Sequence, residues 1–307
     1  MPARILQWTA GDSHLQAIIN PAMGSLVLYL AAILVLIYAV WGLGLLFMQP
    51  KLLYRPMWEI NFTPADMGLE YTDVVFQSAD GVRLTGWYVP VKNAPFTILL
   101  CHGNGGNIMH MLDSLNLFYN LGLSCFAFDY RGYGNSSGRP TEAGTYLDAQ
   151  AAYDWLMGEK GVPADQIILL GRSLGGSVAA HLAGRVQPAA LVVESAFTSF
   201  VDFAAGVYPY LPVRLFTCCL FRYDTLACVK GVRCPVMVMH SRDDELVPFV
   251  FATRLFEAAG APKQFVEIFG NHNDGFLLSG DVYKGAWLKW LDFVKDRQSE
   301  NLVRDAS

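Results

Sequence analysis

The chain has 307 residues, of which 53% are apolar and 16% charged, and its formal net charge is −5. That length suits one large domain with a short appendage. An acidic balance with no long basic run argues against nucleic-acid binding, and so apolar a composition points to a segment in lipid.

Residues 1–24 form a tail whose charged residues are Arg4 and Asp12. Residues 25–48 carry no charge. As a helix they would rise about 36 Å, enough to cross a hydrocarbon core of about 30 Å with some tilt. Tyr29, Trp41 and Phe47 lie toward the ends, where aromatic rings favour the interface. A cleavable signal peptide has a basic start, a shorter apolar core and small residues at its cut site. This segment has none of these and ends Phe47-Met48-Gln49-Pro50. A retained single-pass transmembrane helix is therefore predicted. Lys51 and Arg55 follow it, against Arg4 before it, and this bias favours a catalytic domain on the cytoplasmic side.

Residues 49–68 read as a linker broken by Pro50, Pro56 and Pro64. Leu52, Leu53, Tyr54, Met57 and Trp58 make its first half apolar, suited to the membrane surface or to covering one edge of the domain. Residues 69–298 form the main domain and 299–307 a C-terminal tail. Strands are predicted at Thr72–Gln77 and Arg83–Val89, a hairpin around Asp80-Gly81. Further strands are expected at Thr97–Cys101, 124–128, 167–170, 190–193, 236–239 and 265–268. Helical patterns fall between most of them, at 108–121, 142–159, 174–185, 249–259 and 282–296. An antiparallel start followed by alternating strand and helix implies an α/β domain: an open, mostly parallel sheet with helices on both faces. The connection between strands 190–193 and 236–239 is anomalous, roughly 40 residues in a compact domain. It holds Phe197, Phe200, Phe203, Tyr208, Tyr210, Phe216 and Phe221, and reads as a small cap over about 196–233.

Gly171-Arg172-Ser173-Leu174-Gly175 is a G-x-S-x-G motif that follows a strand and opens a helix. A sharp turn there lifts the serine hydroxyl out of the sheet, and small flanking residues make the turn sterically possible. The plain alternative for Ser173 is a helix-capping serine. His102-Gly103-Asn104-Gly105-Gly106 follows the third main strand, and its glycines let backbone approach a substrate. The N–H groups of Asn104 and Leu174 are the candidate oxyanion donors; the plain reading of the glycine run is a tight turn. Asp243, Asp244 and Glu245 lie just past a strand end, where open α/β sheets place ligands. Asp244 is the favoured acid and Asp243 the runner-up. His272 follows the last strand, and a histidine there is suited to take the serine proton near neutral pH. The order Ser173, Asp244, His272 suits the same fold. His102 and His240 end strands near these residues and are expected to support them; His14, His110 and His181 are expected to be structural or exposed.

The six cysteines, Cys101, Cys125, Cys218, Cys219, Cys228 and Cys234, show no paired C-x-x-C spacing. They read as free, mostly buried thiols, which suits a reducing compartment. No cofactor is implied. A metal site built from His102, His240 and His272 lacks metal-type spacing.

These motifs resemble the α/β-hydrolase superfamily, and within it the membrane-anchored abhydrolase-domain branch that includes depalmitoylase-like serine hydrolases. The resemblance rests on Leu53-Tyr54-Arg55-Pro56, Ser78 through Trp87, His102-Gly103-Asn104-Gly105, Asp129-Tyr130-Arg131-Gly132-Tyr133-Gly134, Gly171 through Gly176, and Asp243-Asp244-Glu245-Leu246-Val247-Pro248, with Tyr208-Pro209-Tyr210-Leu211-Pro212-Val213 in the cap. It implies a Ser-His-Asp triad, with the acid falling on Asp244 and the base on His272. It also implies hydrolysis of acyl esters or thioesters from a small molecule, a lipid or an acylated protein at a membrane. Those depalmitoylases carry an N-terminal cysteine cluster, where this chain has an apolar helix instead, so the resemblance speaks to reaction type more than to substrate. The competing readings are a serine aminopeptidase using the same triad and a membrane-tethered binding protein that keeps the fold without catalysis.

Overall fold

A computed structural model of the chain describes residues 21–209 and 221–305. The chain divides at Met48 into two units. The first contains most of helix α1 (Pro21–Leu53). Its stretch Met23–Gly44 has a mean hydropathy of 2.5 and is long and apolar enough to cross a membrane. Leu28, Tyr29 and Val35 along it are each more than two-thirds exposed. The sequence places a linker from residue 49, but helix continues to Leu53 with Pro50 in its last turns. A proline so near the end forfeits one hydrogen bond without breaking a long helix.

The second unit is built on strands β1 (Arg55–Pro56), β2 (Thr72–Gln77), β3 (Arg83–Val89), β4 (Thr97–Cys101), β5 (Gly105–Gly106), β6 (Ser124–Asp129), β7 (Ile167–Arg172), β8 (Ala190–Glu194), β9 (Val236–Ser241) and β10 (Lys263–Ile268). Eight of them form one sheet in the order β10-β9-β8-β7-β4-β6-β3-β2. The pairs β2·β3 and β3·β6 are antiparallel and all the others in that sheet parallel. β1 and β5 form a separate two-stranded parallel pair.

The central strands are apolar throughout because both faces are covered. Alternate side chains of β4 serve opposite faces, as the period of two demands. Leu99 joins the cluster holding Leu169, Leu191, Val193 and Val236, while Ile98 and Leu100 join the one holding Ile168, Leu170, Val192 and Met237. The first face is covered by α3 (Glu142–Gly158), α4 (Leu174–Ala183), α6 (Thr225–Lys230) and α7 (Phe249–Ala258). The second is covered by α2 (Leu112–Asn120) and α9 (Gly280–Asp305), whose Trp287 and Trp290 are almost fully buried. In addition, α5 (Phe200–Val207) falls within the segment predicted to be a cap, and α8 (Gly275–Leu278) follows β10. Residues 210–220 of the predicted cap, with Tyr210, Leu211, Pro212, Val213, Phe216, Cys218 and Cys219, lie outside the described residues, as does His14.

The chain runs from β4 to β6 on one side and returns to β7 on the other. The strand order therefore reverses between β4 and β7, and a crevice opens at that point beyond the carboxyl ends of the strands. The segments that follow β4, β7, β9 and β10 all reach this edge.

Candidate active site

Ser173 sits between β7 and α4 with φ 56° and ψ −120°. This is a left-handed backbone that a non-glycine residue adopts only at a cost of about 1–3 kcal/mol. Its neighbours explain how so tight a turn is possible. A Cβ on Gly171 would lie 2.2 Å from the Gly175 carbonyl oxygen, and one on Gly175 only 2.0 Å from that of Cys101. No larger residue fits at either position. The serine is itself only half-buried.

His272 and Asp244 meet Ser173 from the two edge-ward strands. His272 Nε2 lies 3.0 Å from Ser173 Oγ, and His272 Nδ1 lies 2.8 Å from Asp244 Oδ2. A carboxylate can only accept, so the proton of the neutral ring sits on Nδ1 and the Nε2 lone pair faces the serine. Asp244 is held in turn: its Oδ1 accepts from the N–H groups of Leu246 and Val247 at 3.0 and 2.7 Å. Burial alone would raise its pKa, but the hydrogen bond from His272, the attraction to that ring when it is protonated and the Val247 N–H together hold it below the ordinary carboxylate value. Asp243, the runner-up acid, is exposed. Glu245, not assigned a role from the sequence, accepts the His272 backbone N–H at 3.0 Å and so fixes the loop that carries the ring.

The two candidate oxyanion donors also come together at this edge. A Cβ on Gly103 would lie 3.6 Å from Ser173 Cβ, so the turn after β4 runs directly beside the serine. Leu174 is the first residue of α4, and its N–H has no acceptor within the helix. The Asn104 N–H has no acceptor among the described residues. His102 supports the turn: its Nδ1 donates to the Gly103 carbonyl at 2.8 Å. Burial pushes its pKa down to about 4, which keeps the ring neutral at physiological pH. His240 Nε2 donates to the Val247 carbonyl at 2.8 Å and lies 3.5 Å from Asp244 Oδ2, within the same loop.

Behind the serine lies a buried cluster whose side chains were assigned no role from the sequence. Arg172 Nε donates to Glu194 Oε1 at 2.7 Å, and the Tyr283 hydroxyl donates to Glu194 Oε2 at 2.6 Å. The Arg172 guanidinium stacks over the Phe276 ring at 4.0 Å and also donates to Ser114. Both charged side chains are buried, at 9% and 2% exposure. Removing one partner of such a pair leaves a lone buried charge, whereas apolar replacement of both is often neutral. Glu194→Ala is therefore expected to destabilise folding by about 3–5 kcal/mol, and Arg172→Met with Glu194→Leu to recover most of that loss. Urea melts of the single and double variants check this; a single variant as stable as the parent would contradict it.

The cap aromatics divide in two. Phe197, Phe200 and Phe221 are buried in the core, with Phe200 and Phe221 edge-to-face at 6.4 Å, whereas Tyr208 is half exposed. Cys101 and Cys125 are buried free thiols, and Cys228 and Cys234 are free and half-buried.

A family model described as the α/β-hydrolase fold matches residues 97–212, from β4 into the cap. The α/β-hydrolase domain-containing protein WAV2 of Arabidopsis thaliana is 33% identical over 283 residues, covering 83% of this chain and 92% of its own. The chain belongs to the α/β-hydrolase family. An uncharacterised protein of Mycobacterium tuberculosis is 40% identical to this hydrolase over 222 residues, covering 71% of one chain and 78% of the other. Protein bem46 of Schizosaccharomyces pombe is 33% identical over 232 residues, 72% of this hydrolase and 76% of bem46. Among solved structures, an esterase of Pyrococcus furiosus superposes with a TM-score of 0.64 at 23% identity, covering 80% of this hydrolase and 97% of the esterase. At that identity the likeness is one of fold.

Proposed function

We propose that this protein is a membrane-anchored serine hydrolase that cleaves acyl esters or thioesters through an acyl-enzyme on Ser173. One observation carries the reading. Ser173 Oγ, His272 Nε2, His272 Nδ1 and Asp244 Oδ2 form an unbroken chain of contacts of 3.0 and 2.8 Å beside the N-terminus of α4, which the Ser173 side chain does not cap.

In this reading the Ser173 oxygen attacks the acyl carbon while its proton passes to His272 Nε2. The carbonyl electron pair moves onto oxygen, where the Asn104 and Leu174 N–H groups and the positive end of α4 stabilise it. Asp244 stabilises the imidazolium without taking its proton. When the carbonyl reforms, the alcohol or thiol leaves and takes the proton from His272. Water then attacks the acyl-enzyme and gives a proton to His272. Collapse returns that proton to Ser173 and releases the carboxylic acid. No cofactor or metal enters these steps.

The stretch Met23–Gly44 supports retention at a membrane, and Lys51 and Arg55 favour the cytoplasmic side for the catalytic unit. The preferred substrate is then an acyl group of medium or long chain on a small molecule, a lipid or a protein. The half-exposed Val207 and Tyr208 of the cap, together with the exposed Leu277 and Leu278 of α8 just after His272, are apolar surfaces suited to such a chain. Each buried methylene contributes about 0.8 kcal/mol, so several of them raise specificity by orders of magnitude. For the detergent-solubilised full chain, kcat/KM is expected to rise steadily along p-nitrophenyl esters longer than butyrate, measured below their micellar concentrations. A sharp maximum at acetate or butyrate would reject a medium or long acyl substrate. Parallel assays with an acyl thioester and an aminoacyl amide separate the reaction classes.

A further inference from the structure

Asn104 stands in a turn that is loose by composition. Gly103 precedes it, Gly105 and Gly106 follow, and Gly106 has φ +81°. Such a run holds no particular direction by itself, because glycine gives up more backbone freedom on ordering than any other residue. Yet an oxyanion donor has to be aimed within a few tenths of an ångström of its target. The structure shows what holds it. The Asn104 carbonyl accepts from the Arg55 N–H at 3.0 Å and from the Tyr133 hydroxyl at 2.8 Å. Its side-chain Nδ2 donates to the Leu53 carbonyl at 2.8 Å. Two residues further along the pairing, the Met57 N–H donates to the Gly106 carbonyl at 2.9 Å. β1 and β5 are therefore a strand pair made by the glycine turn on one side and the exit of α1 on the other.

This exit segment is itself anchored in the core. Tyr54 is 4% exposed, and its hydroxyl lies 2.7 Å from that of Tyr223. Its ring meets Phe221 edge-to-face at 5.4 Å. The Met57 carbonyl accepts from Asn107 Nδ2 at 3.2 Å and from the Gly134 N–H at 2.9 Å. Residues 53–57 thus hold the peptide that follows the Asn104 N–H, while the serine elbow lies on the other flank of the same turn. The Asn104 carbonyl and Nδ2 are thus engaged, while its backbone N–H has no acceptor among the described residues.

We propose that residues 53–57 are a positioning element of the active site, fixing the direction in which the Asn104 N–H meets the developing oxyanion. The inference rests on Ser173 being the nucleophile. It assigns a catalytic duty to a segment whose sequence reads as a linker, and it explains why a buried tyrosine stands directly after a helix end.

The test uses the full chain in detergent, with p-nitrophenyl butyrate as substrate and an aliphatic trifluoromethyl ketone as inhibitor. The ketone adds to the serine as a hemiketal whose oxyanion needs the donors, whereas ground-state substrate does not. Asn104→Ala keeps the N–H but loses the tie to Leu53. Arg55→Pro removes the N–H that holds the Asn104 carbonyl. Tyr133→Phe, the mildest change, removes the other donor to that carbonyl. Losing an oxyanion donor outright costs about a hundred- to a thousandfold in kcat, so mis-aiming one is expected to cost about tenfold or more. In Asn104→Ala and Arg55→Pro, kcat should fall by that factor and ketone affinity by a similar one. KM should stay within about twofold and the thermal midpoint near that of the parent, as expected for an interaction made in the transition state. Tyr133→Phe should shift both quantities the same way by less. If Arg55→Pro does not fold, the other two variants decide. Unchanged kcat in the folded variants overturns the proposal. So does a loss confined to KM, or one that only tracks the fraction of folded protein. If Ser173→Ala still hydrolyses the ester, the reading of Ser173 fails instead, and the two failures are distinct.

Discussion

Ser173→Ala is expected to lower turnover by about 10⁵- to 10⁶-fold, the scale on which loss of a nucleophile collapses a triad that acts as a unit. The fold should survive it. Among the described residues the hydroxyl's side-chain hydrogen bond is with His272 at 3.0 Å, at a half-buried position. Its loss costs no more than about 1 kcal/mol. Alanine also meets the same left-handed backbone as serine, so the turn gains no new strain. Ser173→Gly, which relieves that strain, should be equally inactive and melt somewhat higher. Steady-state hydrolysis of p-nitrophenyl butyrate alongside thermal melts checks both statements. Turnover within tenfold of the parent in Ser173→Ala would remove Ser173 from the reaction.

Asp244→Asn is expected to cost about 10⁴-fold in kcat, with KM little changed. An asparagine presents either an N–H or a single carbonyl oxygen to His272 Nδ1. The amide donor would drive the ring proton to Nε2, where it faces Ser173 and cannot receive a second proton. The amide oxygen would keep the tautomer but leave the imidazolium without a compensating charge. Asp243→Asn, at an exposed position, should retain activity within about twofold, as most surface substitutions do. If Asp243→Asn is the more damaging of the two, the acid is misassigned. The pKa of Asp244 also gives a direction with pH. Its folded value lies below the ordinary carboxylate value. The stability that its hydrogen bonds contribute is therefore present above the unfolded carboxylate pKa and is lost as pH falls through the folded one. Asp244→Asn should flatten that acid limb in stability measurements.

Much of the fold was legible in the sequence, and the places where reading stopped share one cause. The bounds of β2, β3 and β4 coincide with the predicted Thr72–Gln77, Arg83–Val89 and Thr97–Cys101, because turn residues or a histidine mark their ends. The strands predicted at 124–128, 167–170, 190–193 and 236–239 each run further, to Asp129, Arg172, Glu194 and Ser241. Apolarity ends there, but burial does not. These polar termini are enclosed by ion pairs and hydrogen bonds that link residues far apart in the chain, as Arg172, Glu194 and Tyr283 do. The same reason hid the strand pair β1·β5, whose two-residue strands are too short to show alternation. Local pattern and the family resemblance singled out Ser173, Asp244 and His272, whose side chains the fold brings in turn within hydrogen-bonding distance, serine to histidine and histidine to acid. What no local pattern carries is that Leu53 and Arg55 reach Asn104, since that contact is made only once the sheet is assembled.

Covalent labelling tests the central claim most directly. The detergent-solubilised full chain is treated with a fluorophosphonate, digested, and mapped by peptide mass spectrometry. The expected result is one adduct per chain, on the Ser173 hydroxyl, and none on folded Ser173→Ala. An adduct elsewhere, no adduct on folded parent protein, or equal labelling of Ser173→Ala would contradict a serine hydrolase acting through Ser173.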